Sequence, residues 1–154
     1  MTKNQLLNNK RVTEHNVYIA SPFFTDIDNE RLDIIEKMLE DNGLTYFSPR
    51  KQSAIGPISE PEVREKAFKM NVDNIKAADF VIAETSRKDL GTLFEAGVAY
   101  EAGIPIIYAT FVLGEDGGAV NLMLSESAFA CVTTPEQLEN AIKGNSNYHE
   151  GEII

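Results

Sequence analysis

The sequence predicts an α/β fold in which a five-stranded parallel sheet is covered by helices on both faces. Two observations carry this expectation. Five short apolar runs, at 16–20, 44–47, 79–83, 104–108 and 128–132, alternate with stretches that have helical spacing. The runs are mostly apolar rather than apolar at every second residue, as expected of strands buried on both faces. Each connection is long enough to hold a crossover helix, which returns the chain parallel to the preceding strand. In such a sheet ligands bind at the carboxyl ends of the strands, near a topological switch point. Phe23, Asp89 and the start of the helix that follows Asp89 all fall at strand ends. No Gly-x-Gly-x-x-Gly follows the first run and there is no Walker loop, so a dinucleotide is not indicated.

The elements follow in order. Residues 1–15 show no clear period and are read as a flexible leader, leaving 16–154 as a single domain. The first strand, 16–20, is stopped by Ser21 and Pro22, and Phe23, Phe24, Thr25 and Asp26 form a loop at its carboxyl end. Two adjacent loop aromatics either stack a planar ligand or lid the core. In 27–42, Leu32, Ile35, Met38 and Leu39 have helical spacing, and Asn42-Gly43 is a C-cap signal. Strand two, 44–47, leads into a loop of turn residues at 48–57. Ser59, Pro61 and Glu62 then suggest a capping box with proline in the first turn. That helix runs to about Ala77, with Val63, Ala67, Phe68, Val72 and Ile75 as its apolar stripe. Strand three is 79–83. After the next helix, closed by Gly103, strand four is 104–108. A glycine-rich loop spans 111–120, and 121–124 forms a short helical turn. Strand five is 128–132. Thr134 and Gln137 form a second capping box for a last helix to Lys143, and 144–154 is a tail.

The totals exclude several classes. At 154 residues the chain is long enough for one domain to bury a core without staples. A formal net charge of −10 argues against a nucleic-acid or anionic-membrane surface. Cys131 is the single cysteine, so no intramolecular disulfide forms, and its apolar setting predicts a buried inert thiol. The two histidines, His15 and His149, lie near the ends, which disfavours a histidine metal site. No apolar run approaches the ~20 residues of a membrane span, and the first residues lack a signal-peptide core. A cytoplasmic protein is expected.

The chain is organised around 88–100, where a turn feeds a helix made almost wholly of apolar and small residues. Glu95 sits about a turn and a half inside that helix. An unpaired buried carboxylate is costly, but the positive N-terminal end of a helix favours its ionised form. An ionised, partly desolvated Glu beside small residues suits a covalent nucleophile. The plainer alternative is a surface Glu on an amphipathic helix. Asp73 lies in the last turn of its helix, where the dipole raises a carboxylate's proton affinity. Either it acts as an acid or Lys69, four residues earlier, pairs with it at the surface. Asp89 by itself is equally well an N-cap, and Tyr18 equally well a core aromatic.

Five pieces in register resemble the nucleoside 2-deoxyribosyltransferases. They are Tyr18 in strand one, Phe23 to Asp26 after it, Asn71-x-Asp73, Asp89-Leu90-Gly91-x-x-x-Glu95-x-Gly97, and Asn121-Leu122-Met123. The match runs in order over about 16–154. It implies a flavodoxin-like, Rossmann-like doubly wound sandwich and cofactor-free exchange of the base on a 2′-deoxyribonucleoside. Glu95 would attack C1′ to form a covalent deoxyribosyl-enzyme, and Tyr18 would donate a hydrogen bond that orients it. Asp73 and Asp89 would grip the base and manage its proton. Phe23 would pack on the base, with Phe24 and Gly91 beside it and Gln52 as a further base contact. Asn121 and Met123 would reach the 5′-hydroxyl region of a neighbouring subunit's site, implying a homo-oligomer, a hexamer or dimer, with shared active sites. The terminal carboxylate of Ile154 would approach the active-site tyrosine, although an aromatic usually ends the chain there.

Base exchange with retained configuration needs two displacements at C1′, hence a carboxylate nucleophile and a separate proton donor. Two rivals share these residues. One is a 2′-deoxynucleoside 5′-monophosphate N-glycosidase, which passes the sugar to water. It needs phosphate-binding groups, where this chain has Asn121, with Ser125 and Ser127 close by. The other is a non-catalytic nucleoside-binding domain, which would gain little from two costly carboxylates.

Overall fold

The computed structural model describes residues 16–53, 56–111, 120–145 and 152–154. The expected leader at 1–15, most of the glycine-rich loop at 111–120 and most of the tail lie outside the described residues. Five strands, β1 (Val17–Ala20), β2 (Tyr46–Phe47), β3 (Phe80–Glu84), β4 (Ile106–Ala109) and β5 (Ala130–Val132), form one sheet. Every pairing is parallel and the order is β2-β1-β3-β4-β5. That is the flavodoxin-like order, and its switch point lies between β1 and β3.

Six helices are described: α1 (Asp26–Asp41), α2 (Pro49–Gln52), α3 (Pro61–Ala77), α4 (Leu90–Glu101), α5 (Leu122–Ser127) and α6 (Pro135–Ile142). The alternation of side chains along a strand divides the core in two. Val17, Ile19, Phe80, Ile82, Ile107 and Val132 pack with Leu32, Ile35 and Leu39 of α1 and Leu138, Ala141 and Ile142 of α6. Tyr18, Ala20, Val81, Ala83, Ile106 and Tyr108 pack with Ile75 of α3 and Ala96 and Ala99 of α4. Tyr18 and α4 therefore share one face. No described helix is long and apolar enough to cross a membrane.

Local details depart from the sequence expectations at four places. The stretch expected to be loop at 48–57 begins with a helical turn, α2, because Pro49 at its first position is preset for a helix. The capping box expected from Ser59 does not form. Glu60 is the N-cap of α3 without a side-chain bond, and Pro61, which has no N–H to satisfy, starts the helix. Phe68 is not in a buried stripe. It is 58% exposed against Phe94, with ring centroids 5.9 Å apart, since only Ile75 in the last turns of α3 is fully buried. In α6, Thr134 accepts from Gln137 N as expected, but Gln137 Oε1 accepts from the N–H of Thr133 rather than Thr134.

Candidate active site

Glu95 is the sixth residue of α4 and turns toward β1, where Tyr18 is fully buried. The Tyr18 hydroxyl donates to Glu95 Oε2. Phe47 of β2 stacks on the Tyr18 ring at 5.6 Å and 10° between planes, which fixes the direction of that hydroxyl. Burial and the neighbouring Glu95 charge push the phenol far above its usual range, so it remains a donor.

The helix start is built by Asp89. Its Oδ2 accepts from Thr92 N at 2.9 Å and from Thr92 Oγ1 at 3.1 Å, an N-cap with a second bond. Lys88 takes the left-handed φ of 54°, an uncommon setting for a side-chain-bearing residue, and this turns the chain into the cap. Gly91 leaves the space the cap needs: a Cβ there would stand 3.2 Å from Asp89 Oδ2. Asp89 thus serves as an N-cap, and its carboxylate is also near enough to act on Glu95.

The state of Glu95 differs from the expectation that the helix dipole keeps it ionised. Burial raises its pKa from the ordinary 4.5 to about 7. The Tyr18 bond opposes that rise and the Asp89 charge adds to it. Desolvation therefore outweighs both the dipole and the phenol. The native state holds a proton that the unfolded chain releases between pH 4.5 and about 7. The associated stability is complete below pH 4.5 and is lost as the pH rises through 7. Above that, the folded protein carries a strained carboxylate costing on the order of 3 kcal/mol at most. Glu95→Gln keeps an acceptor for Tyr18 without the charge. Its urea midpoint is expected to exceed that of the natural protein at pH 8 and to match it at pH 4.

The remaining predicted residues fall into separate groups. Phe23 and Phe24 lie at the end of β1, their ring centroids 5.0 Å apart, with Phe23 packed on the core and Phe24 69% exposed. Asp73 is exposed on α3 and pairs with Lys69, the surface arrangement left open by the sequence. Gln52 is engaged locally, accepting from Ser48 N at 2.7 Å and donating to Tyr46 O at 3.5 Å. Asn121 caps α5 by accepting from Met123 N at 2.9 Å. Asn121, Met123 and Ile154 line a cavity of about 910 Å³ together with Tyr100 and Tyr108. Along α4 it is lined by Leu93, Ala96, Gly97 and Tyr100. The end of the chain reaches this cavity by pairing with the segment before α5: Ile154 N donates to Val120 O at 3.0 Å.

Cys131 is buried, and its thiol is pushed up to about 11, as an inert cysteine would be. Among the described residues no group of three or more His, Cys, Asp or Glu side chains could hold a metal ion. Sequence reasoning missed Asp28, Glu84, Ser86 and Arg87, which cluster beside the two loops at the site. The signal for Glu84 was present, since it continues the face of Phe80 and Ile82 at a spacing of two.

A family model described as nucleoside 2-deoxyribosyltransferase matches residues 17–123. A solved 2-deoxyribosyltransferase from Bacillus psychrosaccharolyticus is 30% identical, with 86% of this chain and 98% of that chain covered and a TM-score of 0.73. A conserved protein from Enterococcus faecalis V583 is 22% identical, with 85% and 98% covered and a TM-score of 0.68. A CMP N-glycosidase from Clostridium botulinum is 17% identical, with 82% and 95% covered and a TM-score of 0.52. These last two likenesses show the fold alone. No curated protein matches the chain.

Proposed function

The chain belongs to the nucleoside 2-deoxyribosyltransferase family, and we propose that it transfers 2-deoxyribose between nucleobases by a double displacement at Glu95. The observation that carries this reading is the Tyr18–Glu95 pair, a part-buried carboxylate on α4 oriented by a buried phenol on β1. In the first displacement a Glu95 oxygen bonds to C1′ as the bond from C1′ to the base nitrogen breaks, and the departing base takes a proton. In the second, an incoming base loses a proton and its nitrogen attacks C1′, releasing the Glu95 carboxylate. Two inversions leave the configuration retained.

Asp89 is the aspartate whose charge acts on Glu95, and the reading gives it the proton of the base. Asp73, exposed beside Lys69, is assigned to the edge of the base. Phe23 and Phe24 cover its face, with Gly91 beside them and Gln52 as a further contact. A Glu95 carboxyl near neutrality is half ionised, so exchange is expected to climb between about pH 6 and 8.

The reading includes a cytoplasmic homo-oligomer, dimer or hexamer, with shared sites. Tyr100, Met123 and Ile154 are 62%, 71% and 70% exposed around one cavity, an apolar surface a lone copy would leave wet. Asn121 and Met123 of one copy would serve the deoxyribose end of the next copy's site, and the terminal carboxylate of Ile154 would approach an active-site tyrosine. A second reading, hydrolysis of 2′-deoxynucleoside 5′-monophosphates, draws on Ser86, Lys88 and Ser127 in that same cavity, hydroxyls and a cation suited to phosphate.

One assay separates these. Thymidine or deoxyinosine is mixed with free adenine and products are followed by chromatography. Deoxyadenosine is expected. Release of free base without a new nucleoside would favour the hydrolase. Failure with nucleosides and monophosphates alike would leave a binding domain.

A further inference from the structure

Two loops follow the carboxyl ends of β1 and β3. One, 21–25, carries Phe23 and Phe24. The other, 85–89, carries Asp89. The second is anchored to the sheet. The Ser86 hydroxyl donates to Glu84 Oε1 and accepts from Phe111 N at 3.1 Å, while Thr85 N donates to Ala109 O at 2.9 Å. The first loop is held by Asp28, which is 0% exposed and accepts at Oδ2 from Phe24 N at 3.1 Å and Thr25 N at 3.0 Å. Its Oδ1 has no hydrogen-bond partner. The cation within ion-pair reach of that oxygen, among the described residues, is Arg87, with Nε at 3.4 Å. Arg87 Nη1 also donates to Thr25 Oγ1 at 3.4 Å. Arg31, the other nearby cation, acts on Glu84, and its buried Nη1 makes no hydrogen bond.

Arg87 therefore joins the anchored loop to the aromatic loop through Asp28, which holds the N–H groups of Phe24 and Thr25, while Asn29 holds the carbonyls of Phe23 and Thr25. We propose that Arg87 is a positioning residue, setting the Phe23–Phe24 pair at a fixed distance from Asp89 and Glu95 so that a nucleobase is received in one geometry. The inference deepens the transferase reading and rests on it. Both contacts are long and the Arg87 side chain is 41% exposed, but the Asp28 carboxylate is 0% exposed, so losing the cation costs some stability without unfolding the protein. The base stacks in the ground state as in the transition state, so losing its alignment removes uniform binding and raises KM rather than lowering kcat.

The test compares the natural protein with Arg87→Ala and Arg87→Lys in the exchange assay, alongside amide hydrogen exchange. Arg87→Ala is expected to raise KM for the donor nucleoside about tenfold, with kcat within about twofold and the protein still folded, at a modestly lower melting temperature. The amides of Phe24 and Thr25 are expected to exchange faster. Arg87→Lys, which restores the charge on Asp28, is expected to recover part of the KM. Unchanged KM, a fall in kcat alone, or unaltered Phe24 and Thr25 exchange would each overturn the inference while leaving the transferase reading standing. An inactive natural protein would overturn that reading first, and the positioning role with it.

Discussion

Replacing Glu95 with alanine is expected to lower base exchange at least about a thousandfold while the protein stays folded. The loss is large because the proposed reaction runs through a bond from the Glu95 carboxylate to C1′. Without it, exchange would need direct attack by one base as another departs, and that route gives inversion rather than retention. Stability is the control. The substitution leaves the Tyr18 hydroxyl without its acceptor, which costs about 1–3 kcal/mol. It also removes a carboxyl whose burial is itself unfavourable, as its raised pKa of about 7 records. The two partly cancel, so circular dichroism and the melting temperature should change little. Stereochemistry of the residual product, read by the α or β configuration at C1′, distinguishes a slowed double displacement from a different route.

Tyr18→Phe is expected to lower kcat by about 10- to 100-fold and to move the acidic limb of the pH–rate profile upward. The phenylalanine ring fills the same space against Phe47, so packing is preserved. What is lost is the donor to Glu95 Oε2. That bond favours the ionised carboxylate and holds the Glu95 pKa below the level that burial alone would set. Its removal leaves less carboxylate at neutral pH and less control over where the remaining oxygen points. Raising the pH should then recover part of the rate, namely the part due to protonation. The orientation loss should persist at every pH. A pH–rate profile measured on both proteins separates the two.

How far the sequence spoke for the structure depends on the range of each interaction. The five strands and the helices between them follow from local apolar runs and caps, and the all-parallel order β2-β1-β3-β4-β5 agrees with the doubly wound expectation. Asp89 as an N-cap is equally local, its partner being three residues away. The Tyr18–Glu95 bond spans 77 residues, and a family resemblance rather than any pattern pointed to it. Arg87 was invisible for the same reason. Its partner Thr25 is 62 residues distant, and a lone arginine in a turn carries no period. The exposure of Phe68 was misjudged because helical spacing says which residues share a face, not how far the sheet extends beneath it. The proton on Glu95 was misjudged because the dipole is a property of one helix, whereas desolvation depends on everything packed around it.

The most direct test of the account is mass spectrometry of the protein mixed briefly with a 2′-deoxynucleoside and quenched in acid, without an acceptor base. The account predicts a mass gain of one 2-deoxyribosyl unit, located after digestion on the peptide containing Glu95 and discharged when a free base is added. Exchange activity with no adduct, or with an adduct on another residue, would contradict it.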